Sequence, residues 1–121
     1  MIARIWTGVA GSDSVDAYVA HLREKTFPAL RALAGHGGAY VLRKRADPRL
    51  VASDVQVAVI TLWESIDAIA RFAGDDVEAA VVPPEAQALL RSWDTRAVHW
   101  EVDYQELTSR RVRDDNSVEE P

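Results

Sequence analysis

The chain has 121 residues, 48% of them hydrophobic, with a formal net charge of -5 and no cysteine, which is enough for one domain around one core and too little for two. Missing cysteines exclude disulfides and thiolate-held zinc or iron–sulfur centres, the acidic balance gives no general pull toward nucleic-acid phosphates, and no apolar run nears the ~20 residues of a membrane-spanning helix. The opening residues carry no charged-then-apolar leader, so the cytoplasm is the expected compartment.

Residues 2–9 mix Ile5, Trp6, Thr7 and Val9 into a β-prone run that Gly11, Ser12 and Asp13 punctuate, and this is the first predicted strand. A helix is predicted over about residues 14–34: Ser12 or Ser14 caps it, Asp13 and Asp16 suit its positive end, and Val15, Tyr18, Val19, Leu22, Thr26, Leu30 and Leu33 recur at helical spacing. Pro28 should bend or split it near Phe27. After Gly35, Gly37 and Gly38 comes a strand over residues 39–45, whose consecutive Arg43, Lys44 and Arg45 suit an edge. Asp47-Pro48 opens a loop to about Asp54, a long hairpin connection that makes the flanking strands antiparallel.

From Val55 to Trp63 both strand parities are apolar, Val57, Val59, Thr61 and Trp63 on one and Ala58, Ile60 and Leu62 on the other, so both faces need cover and the strand is central. Ser65 caps a second helix at once, with the stripe Ile66, Ile69, Ala70, Phe72 and Ala73 closed by Gly74. Pro83-Pro84-Glu85 restarts helical structure with Ala86, Leu89 and Leu90 inward. Residues 96–104 alternate as a fourth strand, and residues 105–121 read as a charged, flexible tail beyond a domain of residues 1–104.

Strand, helix, strand, strand, helix, strand is the α+β, ferredoxin-like βαββαβ order with a four-stranded antiparallel sheet. Right-handed crossovers place strands one and three in the middle, two and four outside, and both helices on one face. The other face stays bare and apolar, and a twofold homodimer is the expected cover.

The openings MIARIW and VAVITLWES and the late AVHWEV, in that order, resemble the dimeric α/β-barrel superfamily, and within it the antibiotic biosynthesis monooxygenase-like proteins, over about residues 1–104. The resemblance implies a pocket between sheet and helices beside the junction tryptophan, Trp63. It spans cofactor-free monooxygenases, haem-degrading monooxygenases and small isomerase- or cyclase-type enzymes. Haem-degrading relatives carry an asparagine where Trp6 falls and a histidine ligand on the helix after the tryptophan, whereas residues 64–98 here contain no histidine, which disfavours haem degradation by that ligand set.

Among residues that could carry chemistry, Trp63 either packs and orients a flat aromatic substrate or fills the core. His99, on the face of Glu101, is a candidate general base or a hydrogen-bonded histidine at the sheet surface. His21 neighbours Tyr18 on the first helix and either reaches the cleft or is solvated; His36, between glycines, reads as a mobile loop residue. Trp6, Tyr18, Phe27 and Phe72 are the candidates for the substrate-binding wall. Arg4 shares the parity of Trp6 on a central strand and so needs a carboxylate partner or a polar pocket, the buried salt bridge being the plainer expectation. No nucleotide-binding glycine motif, no G-x-S-x-G and no histidine pair at metal spacing is present, so neither cofactor nor metal is expected.

The expected activity is thus cofactor-independent monooxygenation of an aromatic or polyketide-like compound, with His99 or His21 moving the proton and Trp63 packing the substrate. The alternatives are a non-catalytic, stress-associated dimer holding a small apolar ligand, and a divergent haem-binding member.

Overall fold

The computed structural model describes residues 1–44 and 54–108. Five antiparallel strands form one sheet: β1 (Ile2–Gly11), β2 (His36–Arg43), β3 (Asp54–Trp63), β4 (Leu90–Trp93) and β5 (Val98–Glu101). The order is β2-β3-β1-β4, with β5 paired to the same side of β1 as β4. β1 pairs with β3 over its full length, Ile2 opposite Trp63 through Gly11 opposite Asp54, so strands one and three are central as their two-sided apolar patterns require. The loop expected to open at Asp47-Pro48, Arg45 and the tail beyond Leu107 and Thr108 lie outside the described residues.

The segment read as one helix is three: α1 (Val15–His21), a π-helical turn over Leu22–Thr26, and α2 (Phe27–Arg31). Pro28 accounts for the break, because it has no N–H to give the carbonyl of Glu24 and its ring would strike that carbonyl in a tight helical turn. The widened turn carries Leu22 and Thr26 toward the sheet. α3 (Ile66–Ala73) starts as its sequence requires: the Ser65 hydroxyl accepts from Ala68 N at 3.1 Å, and Gly74, at φ 87°, ends it.

Two elements differ from the sequence reading. The helix restarted at Pro83 lasts one turn, α4 (Pro84–Gln87), and Leu90 belongs to a strand. The fourth strand is split into β4 and β5 by residues 94–97, which bulge away opposite Trp6 and Thr7 of β1. The bulge is held by polar contacts that periodicity does not report: Asp94 N donates to Thr7 O at 3.0 Å and the Trp6 indole N–H to Asp94 O at 2.7 Å. Beyond Asp94 the bulge binds the segment after α3, with Ala80 N donating to Thr95 O at 3.0 Å and Ala97 N to Glu78 O at 2.7 Å.

Helices cover one sheet face, and two buried clusters lie beneath them. One gathers Tyr18, Leu22, Val57, Val59 and Leu90; the other gathers Leu30, Trp63, Ala68 and Ile69. Phe27 packs against both. Gly35, at φ 90°, crosses so close to α3 that a Cβ there would lie 2.5 Å from the Ala68 Cβ. Gly35→Ala is therefore expected to destabilise by about 2–4 kcal/mol, from the left-handed backbone and the overpacking together, read as a lowered urea midpoint.

The uncovered face is a continuous apolar surface. One row runs Tyr40, Ile60, Ile5, Val98 across four strands, and Ala3 and Trp100 continue the row beside it, whose Leu62 is buried. Val98 and Trp100 are more than half exposed, at 54% and 62%.

Candidate functional site

β1 and β3 lay alternate side chains under the helices, and at the seam between the two clusters they leave a cavity of about 60 Å³. Its floor is Arg4, Trp6, Val59 and Thr61; its helical wall is Tyr18, Leu22, Thr26, Phe27 and Leu30; Phe72 and residues 80–83 close it. A groove of about 360 Å³ adjoins it, bounded by His21, Lys25, Arg71 and Glu85 toward solvent. Thr26, Leu30, Phe72, Val81 and Pro83 wall both spaces, so the groove is the mouth of the cavity.

The structure brings Trp6, Tyr18, Phe27 and Phe72 together round this cavity. Trp6 lies over Gly8, where a Cβ would meet the indole at 2.7 Å, and its ring centre is 6.4 Å from that of Tyr18. Burial pushes the Tyr18 phenol above its ordinary range, so it stays protonated at neutral pH. Trp63 stands one layer back. It is fully buried, its N–H donates to Thr61 Oγ1 at 2.8 Å, and its ring stacks on Phe72 with centroids 5.8 Å apart. It touches two residues of the wall, Thr61 and Phe72, and contributes no surface to the cavity itself.

The histidines are dispersed. His21 is on the outer groove, its Nε2 buried without a partner. His36 is the first residue of β2 rather than a loop residue, because the chain after Gly35 enters the sheet at once; its ring meets Trp63 edge-on at 5.0 Å. His99 pairs with Arg4 across β5 and β1, and its Nε2 lies 2.8 Å from Arg4 Nη1. Since a guanidinium can only donate, His99 Nε2 is the acceptor and carries no proton. Glu101 is exposed and lies opposite Ile2, two residues along the ladder.

Burial, with the Arg4 charge second, holds the His99 pKa below its ordinary value against a weaker opposing pull from Glu78; burial and the Arg31 charge do the same at His36. Both imidazoles bind protons more readily in the unfolded chain. Their contribution to stability is therefore fully present above the unfolded histidine value of about 6.5 and is lost as pH falls from there through the depressed folded values. The melting temperature at pH 5 is expected below that at pH 7.5, and His99→Gln should flatten the slope.

Arg4 departs most from expectation. It is 4% exposed, and no carboxylate among the described residues lies within 4 Å. Its partners are neutral: Nη1 donates to Val77 O and His99, and Nη2 donates to Ala79 O at 2.7 Å. The guanidinium also stands 5.7 Å above the Phe72 ring. Glu78, the nearest attractive charge, is held by Arg96 at 3.2 Å. The sequence signal for this cradle was the shared parity of Arg4 and Trp6; the two carbonyls come from an irregular segment that no periodicity marks.

No protein-family model matches the sequence, and no curated protein does. Among solved structures, the ActVA-Orf6 monooxygenase of Streptomyces coelicolor, in complex with nanaomycin D, superposes with TM-score 0.61 at 18% identity, covering 89% of this chain and 92% of that one. A candidate antibiotic biosynthesis monooxygenase from Bacillus cereus gives 0.57 at 16%, over 88% and 97%. A protein from Shewanella oneidensis gives 0.58 at 18%, over 82% and 89%. Together with the strand order and the covered and uncovered sheet faces, these likenesses identify the fold: the chain is an α+β ferredoxin-like domain built as the antibiotic biosynthesis monooxygenase-like proteins are.

Proposed function

We propose that the protein is a small, cytoplasmic, homodimeric monooxygenase that uses no bound cofactor and acts on an aromatic or polyketide-like compound. The observation that carries this reading is the cavity at the seam, where four aromatic side chains and one buried cation line an apolar space that opens through the groove beside His21. An electron-rich phenol or enol seated there supplies the electrons. Its anion adds dioxygen at carbon; one oxygen atom stays as a new carbonyl, the other leaves as water, and the substrate CH₂ loses both hydrogens.

Trp6, Tyr18, Phe27 and Phe72 would pack the ring system. Trp63 would act through Phe72 and Thr61, holding the wall in place. His21, at the mouth, would pass the proton to solvent, and His99 would set the position of Arg4. Oxygen uptake by iron- and flavin-free protein with dithranol, an anthrone, is the test: consumption above the buffer rate, lost in Phe72→Ala, is expected, and none from any anthrone or dihydroxyaromatic would remove the reading.

One feature favours a binder over an enzyme. Among the described residues, Arg4 and Tyr18 are the only ionisable ones on the cavity wall, and neither is a base at neutral pH. Tight, stoichiometric retention of dithranol without oxygen uptake would select the ligand-holding dimer.

A further inference from the structure

We propose that Arg4 is an anion anchor, and that the ligand of the cavity is an aromatic molecule bound through an ionised oxygen, a phenolate or enolate, held by the guanidinium. The inference rests on the cavity being a ligand site, though not on oxygen chemistry. A guanidinium has five N–H groups. Nη1 uses both of its own on Val77 O and His99, and Nη2 uses one on Ala79 O. Nε–H and the second Nη2–H have no acceptor among the described residues, on a side chain that forms part of the cavity floor.

The charge account points the same way. A buried cation is costly unless an anion offsets it, and every group bonded to Arg4 is neutral. Glu78 is committed to Arg96, and Arg96 is bound at the same time by Asp76 at 2.6 Å. The rest of the wall is apolar or hydroxylic, so an anionic oxygen entering the cavity meets one cation and no competing carboxylate. With Phe72 beneath the guanidinium and Trp6 two residues along the strand, an aromatic ring bearing that oxygen meets stacking surfaces at the anchor. An ionised ligand also removes the need for a base inside the cavity, since Arg4 favours the deprotonated form and the proton leaves through the mouth.

His99 serves as a positioning residue. Its unprotonated Nε2 and the two carbonyls fix the guanidinium from one side and leave the other side to the ligand. Val77 and Ala79 belong to the segment stitched to residues 95–97, so the cradle is as rigid as the bulge that carries it.

The probe is 4-nitrophenol, whose phenolate absorbs in the visible, with nitrobenzene as the neutral counterpart. In wild-type protein the bound phenol should ionise at least one pH unit lower than the free phenol, which is a tenfold preference for the anion, and nitrobenzene should bind at least tenfold more weakly than the phenolate. Arg4→Gln should abolish the preference while still binding nitrobenzene. Because Arg4→Gln deletes the guanidinium that makes three bonds to the cradle and can fail to fold, the wild-type protein is also followed by nitrogen-15 NMR, where the Arg4 Nε–H resonance should shift with phenolate and stay fixed with nitrobenzene. Equal binding of phenol and phenolate, a preference that survives in folded Arg4→Gln, or an unmoved Nε–H resonance at saturation would each overturn the proposal. Phenolate binding through Arg4 without oxygen uptake would leave it standing and remove the monooxygenase reading alone.

Discussion

Trp63→Ala is expected to lower the free energy of unfolding by about 3–5 kcal/mol, the range for deleting a large buried aromatic side chain. The indole is fully buried, stacks on Phe72, meets His36 edge-on and donates to Thr61. Its loss opens a void behind the cavity wall and leaves the Thr61 hydroxyl, itself 5% exposed, without that donor. Against a typical domain stability of about 5–15 kcal/mol, that is a large fraction. Urea unfolding of purified protein checks it. Trp63→Phe keeps a stacking ring and loses the N–H, so it should fall between, at about 1–2 kcal/mol. Both variants should lose ligand affinity only in proportion to how far Phe72 shifts. A Trp63→Phe protein of wild-type stability that binds no ligand would instead show that the indole touches the ligand directly.

The second large effect is expected on the opposite face. Ile60→Asp puts a carboxylate between Tyr40 and Ile5 in the middle of the uncovered apolar row. A soluble protein rarely leaves such a face to water, and a second copy related by a twofold axis would cover it with the same surface. If a twin copy covers this face, the wild type should sediment as a dimer and the substituted protein as a monomer at the same concentration, with association weakened by a factor of a hundred or more, about 3 kcal/mol. Its far-ultraviolet circular dichroism should be kept, since the helix-side cores contain neither Ile60 nor its row. Wild-type protein that is monomeric, or a dimer indifferent to Ile60→Asp, would remove the interface from this face.

The centre of the sheet was legible because β3 carries apolar residues at both parities and because a serine cap and a closing glycine frame α3; each signal is local in sequence and local in space. The helix break at Pro28 was legible for the same reason, though the π-helical form of the turn was not, since it depends on how the sheet receives Leu22 and Thr26. The split of the fourth strand could not be read, because it is set by Trp6 and Thr7 bonding to Asp94, nearly ninety residues away in the chain. The wall residues of β1 followed from parity once the covered face was known. Two placements depended on particular hydrogen bonds: Trp63 turns its N–H to Thr61 and so sits behind the wall, and Arg4 takes two carbonyls and a histidine where a carboxylate was expected.

The bulge at residues 94–97 has a bearing on how such a chamber can be retuned. Its ceiling hangs from the rim of the sheet through Ala80 and Ala97, whereas its base is laid by the two innermost strands. Lengthening or trimming the hanging piece would resize the room for a guest molecule while the framework beneath keeps its pairing, so volume and architecture are under separate control.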